Sequence, residues 1–198
     1  GFGHKLGVDI SGEKRGLIPN SKFYDKIYGH NHWGGLRIIY IAIGQGEVLL
    51  TPLQIANLSA TIANRGYYYI PPVVRHIAGG QLDPKYYVRH YTDINPYWYN
   101  YIVAGMRMSA LHGTCHFLGG MPYVACGKTG TAPNNGRDPG VFVGFAPMAY
   151  PKLSISVYVE NGGFGADYAV PIGALMMEQY LYGKIAPQRQ GLVERLSN

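Results

Sequence analysis

Cys126-Gly127-Lys128-Thr129-Gly130-Thr131-Ala132 is the stretch on which the reading of this chain turns. Its Gly-Lys-Thr core resembles the end of a phosphate-binding loop. That loop needs a glycine five residues before Gly127, where Pro122 stands, and a helix directly afterwards. Ala132-Pro133-Asn134-Asn135-Gly136 follows instead and breaks a helix. Asn161-Gly162-Gly163-Phe164-Gly165 fails as a dinucleotide fingerprint, because Tyr168 occupies the third glycine position. The chemistry the segment does suit is that of a strand end offered to an extended peptide. The Lys128 ammonium beside the Thr129 and Thr131 hydroxyls can hold a carboxylate by charge-assisted hydrogen bonds. Gly130 lets a substrate backbone approach closely, and an outward N–H at Thr131 can polarise a carbonyl.

Outward from this segment, the sequence periods change along the chain. Residues 1–36 are turn-rich and read as loop and short strand, within a loop region that extends over 1–50. Thr51-Pro52-Leu53-Gln54 carries a helix start, with Thr51 as cap, Pro52 in the first turn and Gln54 closing a capping box. Ile55, Leu58 and Ile62 keep helical spacing up to Gly66, and Asn95-Pro96 opens a second helix running to about Leu111, so that 51–111 is a helical segment. Strands are predicted over Tyr123–Thr131, Val141–Ala146 and Leu153–Val159, the last from strict alternation with Ser154, Ser156 and Tyr158. A Gly-rich turn leads to a terminal helix over 167–183, and 184–198 reads as a loosely held polar tail. Helices, then consecutive strands (123–160), then a helix imply a mixed α/β (α+β) domain whose antiparallel sheet is packed by helices, with no internal linker.

The composition sets limits. The 198 residues suit one domain, and with 47% hydrophobic and 14% charged residues a core is available. The longest apolar run, Ile38–Ile43, is far too short to span a bilayer. The net charge of +6 is scattered, with Lys14-Arg15 the only adjacent basic pair, which argues against nucleic acid. Cys115 and Cys126 are too few for a disulfide framework and are expected to be free. His112 and His116 flank Cys115 but lack a second ligand pair, so no metal site is expected, and no cofactor.

Lys128-Thr129-Gly130 also resembles the Lys-Thr-Gly signature of penicillin-recognising serine enzymes. Its flanks are similar to the class B, elongation-type penicillin-binding proteins. Gly44-Gln45-Gly46, Thr51-Pro52-Leu53-Gln54 and Ile62-Ala63-Asn64-Arg65-Gly66 carry that likeness, as do Val143-Gly144-Phe145-Ala146-Pro147 and Glu160 to Ala166. The resemblance implies the C-terminal portion of a serine β-lactamase-like transpeptidase fold. It implies a D,D-transpeptidase that cross-links peptidoglycan stem peptides ending in D-Ala-D-Ala, is inhibited by β-lactams, and works with the elongation machinery at the periplasmic face of the inner membrane. Under it, Lys128 and Thr131 are catalytic, while Lys128, Thr129, Gly130 and Thr131 bind substrate.

Two motifs of that family are not found in this sequence. No Ser precedes Asn or Asp by two positions, and the one Ser-x-x-Lys, Ser11-Gly12-Glu13-Lys14, sits in turn-forming sequence and aligns with a loop beyond both serine motifs. Ser11 is therefore read as a turn residue, not a nucleophile. The expectation is a chain that begins downstream of the serine motifs and is inactive alone. A β-lactamase or carboxypeptidase of the same fold and a serine-less binding module stay open as alternatives.

Overall fold

The computed structural model describes residues 1–131, 136 and 138–197, and the turn expected after the Lys-Thr-Gly segment lies outside the described residues. These residues form two compact units, one of residues 1–54 with 70–87, the other of residues 55–69 with 88–198.

The first unit holds helices α1 (Ser21–Tyr28) and α2 (Gly35–Ala42) and the first turn of α3 (Pro52–Ala63). The expectation of a loop region over residues 1–50 is thus corrected. Asn20 caps α1 through its side-chain oxygen, which accepts from Phe23 N at 3.0 Å. The density of glycine around these helices hides them, since each is only eight residues long. Much of this unit is irregular backbone, whose polar groups must find partners. Glu13 accepts from the N–H groups of Leu6 (2.6 Å) and Gly7 (3.1 Å), and Asp9 accepts from Val73 N–H (2.9 Å). Glu47 accepts from the hydroxyls of Tyr24 and Tyr28, both at 2.8 Å, and from Arg37 Nη1 at 3.2 Å. Tyr24 is fully buried, and burial followed by the Glu47 contact pushes its pKa up to about 12. The capping box predicted at Thr51 forms, with Gln54 N donating to Thr51 Oγ1 (3.2 Å) and Thr51 N to Gln54 Oε1 (3.0 Å). Ser11 lies in an exposed turn, with Gly12 at φ +79°.

The second unit is built on an antiparallel sheet. A two-residue ladder, β1 (Tyr67–Tyr68) with β2 (His90–Tyr91), precedes α4 (Pro96–His112). Asn95 caps α4 as its sequence predicts, its side chain accepting from Tyr97 N at 2.9 Å. The three-stranded sheet follows in the order β3 (Cys126–Thr131), β4 (Gly140–Ala146), β5 (Leu153–Val159), all antiparallel. The helix expected over 167–183, α5, spans Ala169–Tyr182 and stops at Gly183, in the left-handed conformation.

Side chains alternate across the strands. One face, carrying Phe142 and Val157, packs on Ala169, Val170, Ala174 and Met177 of α5 and on Leu118. The other, carrying Cys126 and Phe145, packs on Ala63 of α3 and on Val103 and Met106 of α4. Helices on both faces leave even Ser154 and Ser156, the polar positions of the alternation, half-buried.

The tail departs from expectation. Residues 187–189 form a 3-10 turn and Gln190–Ser197 a helix, α6. Buried Glu178 of α5 holds this end by accepting from Ala186 N (3.2 Å) and from Arg189 through Nε (2.7 Å) and Nη2. Polar composition suggested a loose tail; a long-range ion pair orders it.

Candidate functional site

β3 pairs with β4 on one side only, so among the described residues its other side is a free sheet edge. Lys128 and Gly130 are exposed, Thr129 and Thr131 half-buried, and Gly127 buried. All four residues singled out from sequence thus occupy one free strand edge. They do not share a face: alternation puts Lys128 and Gly130 on the side of α4 and the two threonines on the side of α5.

The backbone matters as much as the side chains. In an antiparallel ladder alternate residues turn both polar groups toward the partner strand. The Thr129 carbonyl accepts from the Lys128 Nζ at 2.8 Å, bringing the ammonium round to the strand's own edge. The Thr129 N–H is among the groups acting on the buried Cys115 thiol. Burial raises that thiol's pKa, and Ser109, Lys128, Thr114 and the Thr129 N–H act against the rise. The Thr129 carbonyl therefore engages a partner outside β4.

The glycines divide into two kinds. A Cβ on Gly127 would lie 2.5 Å from Phe142 Cε2, and one on Gly144 would lie 2.7 Å from the Cys126 carbonyl oxygen, so packing within the fold demands both glycines. Gly165, in the turn before α5, is equally constrained: a Cβ there would sit 2.4 Å from Val141 O and 3.2 Å from Thr129 Cβ, which seats that turn against the threonine face of β3. At Gly130 a Cβ would meet only Val141 Cβ, at 3.5 Å. Nothing inside the described fold requires glycine there.

Sequence reading missed a neighbour of this edge. Thr114, just past the end of α4, places its Oγ1 2.6 Å from Thr129 Oγ1. A threonine in a loop carries no signal, since only tertiary packing brings it across fifteen residues. The Cys115 and His residues divide as packing predicts: Cys115 is buried, while His112 and His116 are exposed. Cavities of about 680 Å³, lined by His116, Phe117 and Arg195 among others, and about 600 Å³, lined by Ile172, Tyr180 and Leu196 among others, lie against α6 and not at this edge.

An antiparallel sheet between helices, with Lys-Thr-Gly on its free edge, fits the penicillin-recognising class that the sequence resembles. Residues 1–178 match the family described as "Penicillin binding protein transpeptidase domain", and the chain belongs to that family. Within it the chain stands in the elongation-type class B branch. It is 33% identical over 191 residues to the peptidoglycan D,D-transpeptidase MrdA of Acinetobacter baumannii, covering 85% of this chain and 28% of that protein. It is 30% identical over 203 residues to the MrdA of Haemophilus influenzae, covering 91% and 31%. Among solved structures it superposes on Pseudomonas aeruginosa PBP2 in complex with WCK 5153, with a TM-score of 0.82, 32% identity and coverage of 95% of this chain and 42% of that one. The PBP2 of a Helicobacter pylori complex with MreC gives 0.77, 27%, 93% and 34%. The chain spans about three tenths of the length of the two MrdA relatives.

Proposed function

We propose that the whole protein is a peptidoglycan D,D-transpeptidase and that residues 1–198 supply the substrate-aligning edge of its active site. A serine outside residues 1–198 attacks the carbonyl of the penultimate D-Ala of a stem peptide. The terminal D-Ala leaves, and the acyl group passes to the amine of a neighbouring stem. Thr129 and Thr131 hold the donor's terminal carboxylate, with the Lys128 ammonium supplying positive charge. Thr131 lies two residues after Thr129, so by strand parity its N–H turns off the free edge and is placed to polarise the scissile carbonyl. The observation that carries the reading is Gly130: an unforced glycine on an open strand edge fits a site where a second backbone lies flat against the first. Ser11, in an exposed turn of the first unit, fits no nucleophile role.

The same reading puts the active site on the periplasmic face of the inner membrane, in contact with the elongation machinery. No described helix is long and apolar enough to cross a membrane. β-Lactams, which present a carboxylate beside a strained amide, would acylate the same serine. Incubation of the full-length protein with a fluorescent penicillin, followed by peptide mapping, tests this. The expected adduct lies on a serine outside residues 1–198; an adduct on Ser11, or none on the folded full-length protein, would overturn it.

A further inference from the structure

We infer that Thr114 is a positioning residue of this site, setting the direction of the Thr129 hydroxyl proton so that it is donated to a bound carboxylate. The inference rests on the proposed carboxylate-holding role of Thr129.

The two hydroxyls lie 2.6 Å apart, so one of them donates to the other. A hydroxyl has one proton. If Thr129 spent its proton on Thr114, it would offer an incoming anion only lone pairs. If Thr114 donates to Thr129, meeting the neutral Cys115 thiol only as an acceptor from S–H, the Thr129 proton is released to the ligand, and the chain Thr114 to Thr129 to carboxylate polarises in one direction. An anion held at the strand edge, where the Lys128 ammonium reaches the Thr129 carbonyl, selects the second arrangement.

Thr114 is held for this task by backbone and not by chance contact. The N–H groups of Gly113 and Cys115 both donate to the Ser109 carbonyl, each at 3.1 Å, which folds the chain sharply back at the end of α4. A Cβ on Gly113 would lie 2.9 Å from Ser109 Cα, so only glycine permits that fold-back. The next residue, Cys115, is fully buried, and its carbonyl accepts from Leu118 N at 2.9 Å. Thr114 is thus fixed on both sides while its own side chain stays exposed beside β3.

The test uses the full-length protein and two probes, a penicillin and its methyl ester, with second-order acylation rates measured for wild type, Thr114→Ser, Thr114→Val and Thr129→Val. Thr114→Val keeps the shape and removes the donor; the expected result is a loss of roughly three- to tenfold in acylation by the free acid, the effect of the one neutral hydrogen bond that polarises Thr129. The ester rate should stay within about twofold, and Thr114→Ser should restore the acid rate. Equal slowing of both probes, or a serine variant no better than valine, would mark Thr114 as merely structural and overturn the inference. An unchanged acid rate in Thr114→Val does so too. If Thr114→Val fails to fold, Thr114→Ala against Thr114→Ser decides by the same ratio. A wild type and a Thr129→Val variant that treat acid and ester alike would instead reject the carboxylate role of Thr129 itself.

Discussion

The ring of Phe142 occupies the space that a side chain on Gly173 would need: a Cβ on that α5 residue would come within 2.5 Å of Phe142 Cδ1. Gly127 and Gly144 approach the same ring from β3 and β4, so Phe142 sits in a seat made by three glycines, directly beneath the Lys-Thr-Gly edge. Gly173→Ala should gain about 1 kcal/mol of helix propensity. Overpacking a fully buried ring costs about 1–3 kcal/mol, so the net change should be destabilising. Combining it with Phe142→Leu, which frees volume, should destabilise less than the two single changes add up to. Thermal melts of the four proteins check this, and strict additivity would remove the contact.

Gln54 is the second test, and it concerns the first unit alone. Its Nε2 shares two hydrogens among the carbonyls of Gly1 (2.9 Å), His4 (3.0 Å) and Arg15 (2.9 Å) while its backbone starts α3. Gln54→Ala should cost roughly 1–3 kcal/mol by stranding those acceptors. Gln54→Glu should cost more at pH 7, because a carboxylate would face three carbonyl oxygens. Lowering the pH protonates that carboxyl and returns one donor, so the glutamate deficit should narrow in acid. Hydrogen exchange at Leu17 and Leu49, whose amides donate to each other's carbonyls, reports it. A deficit that grows on acidification would contradict the assignment.

The ion pair that orders the tail has its own pH signature. The Arg189 guanidinium holds the Glu178 carboxyl below the usual glutamate range, against the opposing effect of burial. A depressed folded-state pKa means the stabilisation is complete above the ordinary glutamate value of about 4.3 and is lost as pH falls through the lower folded value. α6 should therefore stay protected from exchange and proteolysis at neutral pH and loosen in acid. Glu178→Gln should loosen it at every pH and abolish the dependence. Equal protection of residues 190–197 in wild type and variant at pH 7 would show that the pair does not hold the helix.

Lys128 separates a site lysine from a solvated one. In the full-length protein Lys128→Ala should slow β-lactam acylation on the order of 10²–10³-fold with little change in melting temperature. Lys128→Arg should rescue only in part, because a planar fork does not replace a compact ammonium. Acylation within about twofold of wild type in the alanine variant would remove Lys128 from the chemistry.

Local chemistry made much of this legible. Thr51, Pro52 and Gln54 announce a helix start that forms as written, and Asn95-Pro96 does the same for α4. Leu153, Ile155, Val157 and Val159 alternate as a strand must, and Gly183 ends α5 where it was expected to. The two short helices of residues 1–50 were not legible, because eight residues hold barely two turns and their glycine neighbours read as turns. The tail helix was hidden for a different reason: what orders it is a buried carboxylate eleven residues back.

Sequence by itself determined the family likeness and singled out Lys128, Thr129, Gly130 and Thr131 as candidates, since both depend on residue type at fixed spacing along one element. Tertiary structure alone decided that those residues sit on an open edge and that Thr114 meets Thr129. It also showed that Gly130 is a glycine the fold does not need, whereas Gly127 and Gly144 are glycines it does. Spacing along a chain fixes neighbours on one strand or helix. It says nothing of which side of a strand stays unpaired or which distant hydroxyl packs against it, because those follow from how helices and sheet fill space around Phe142.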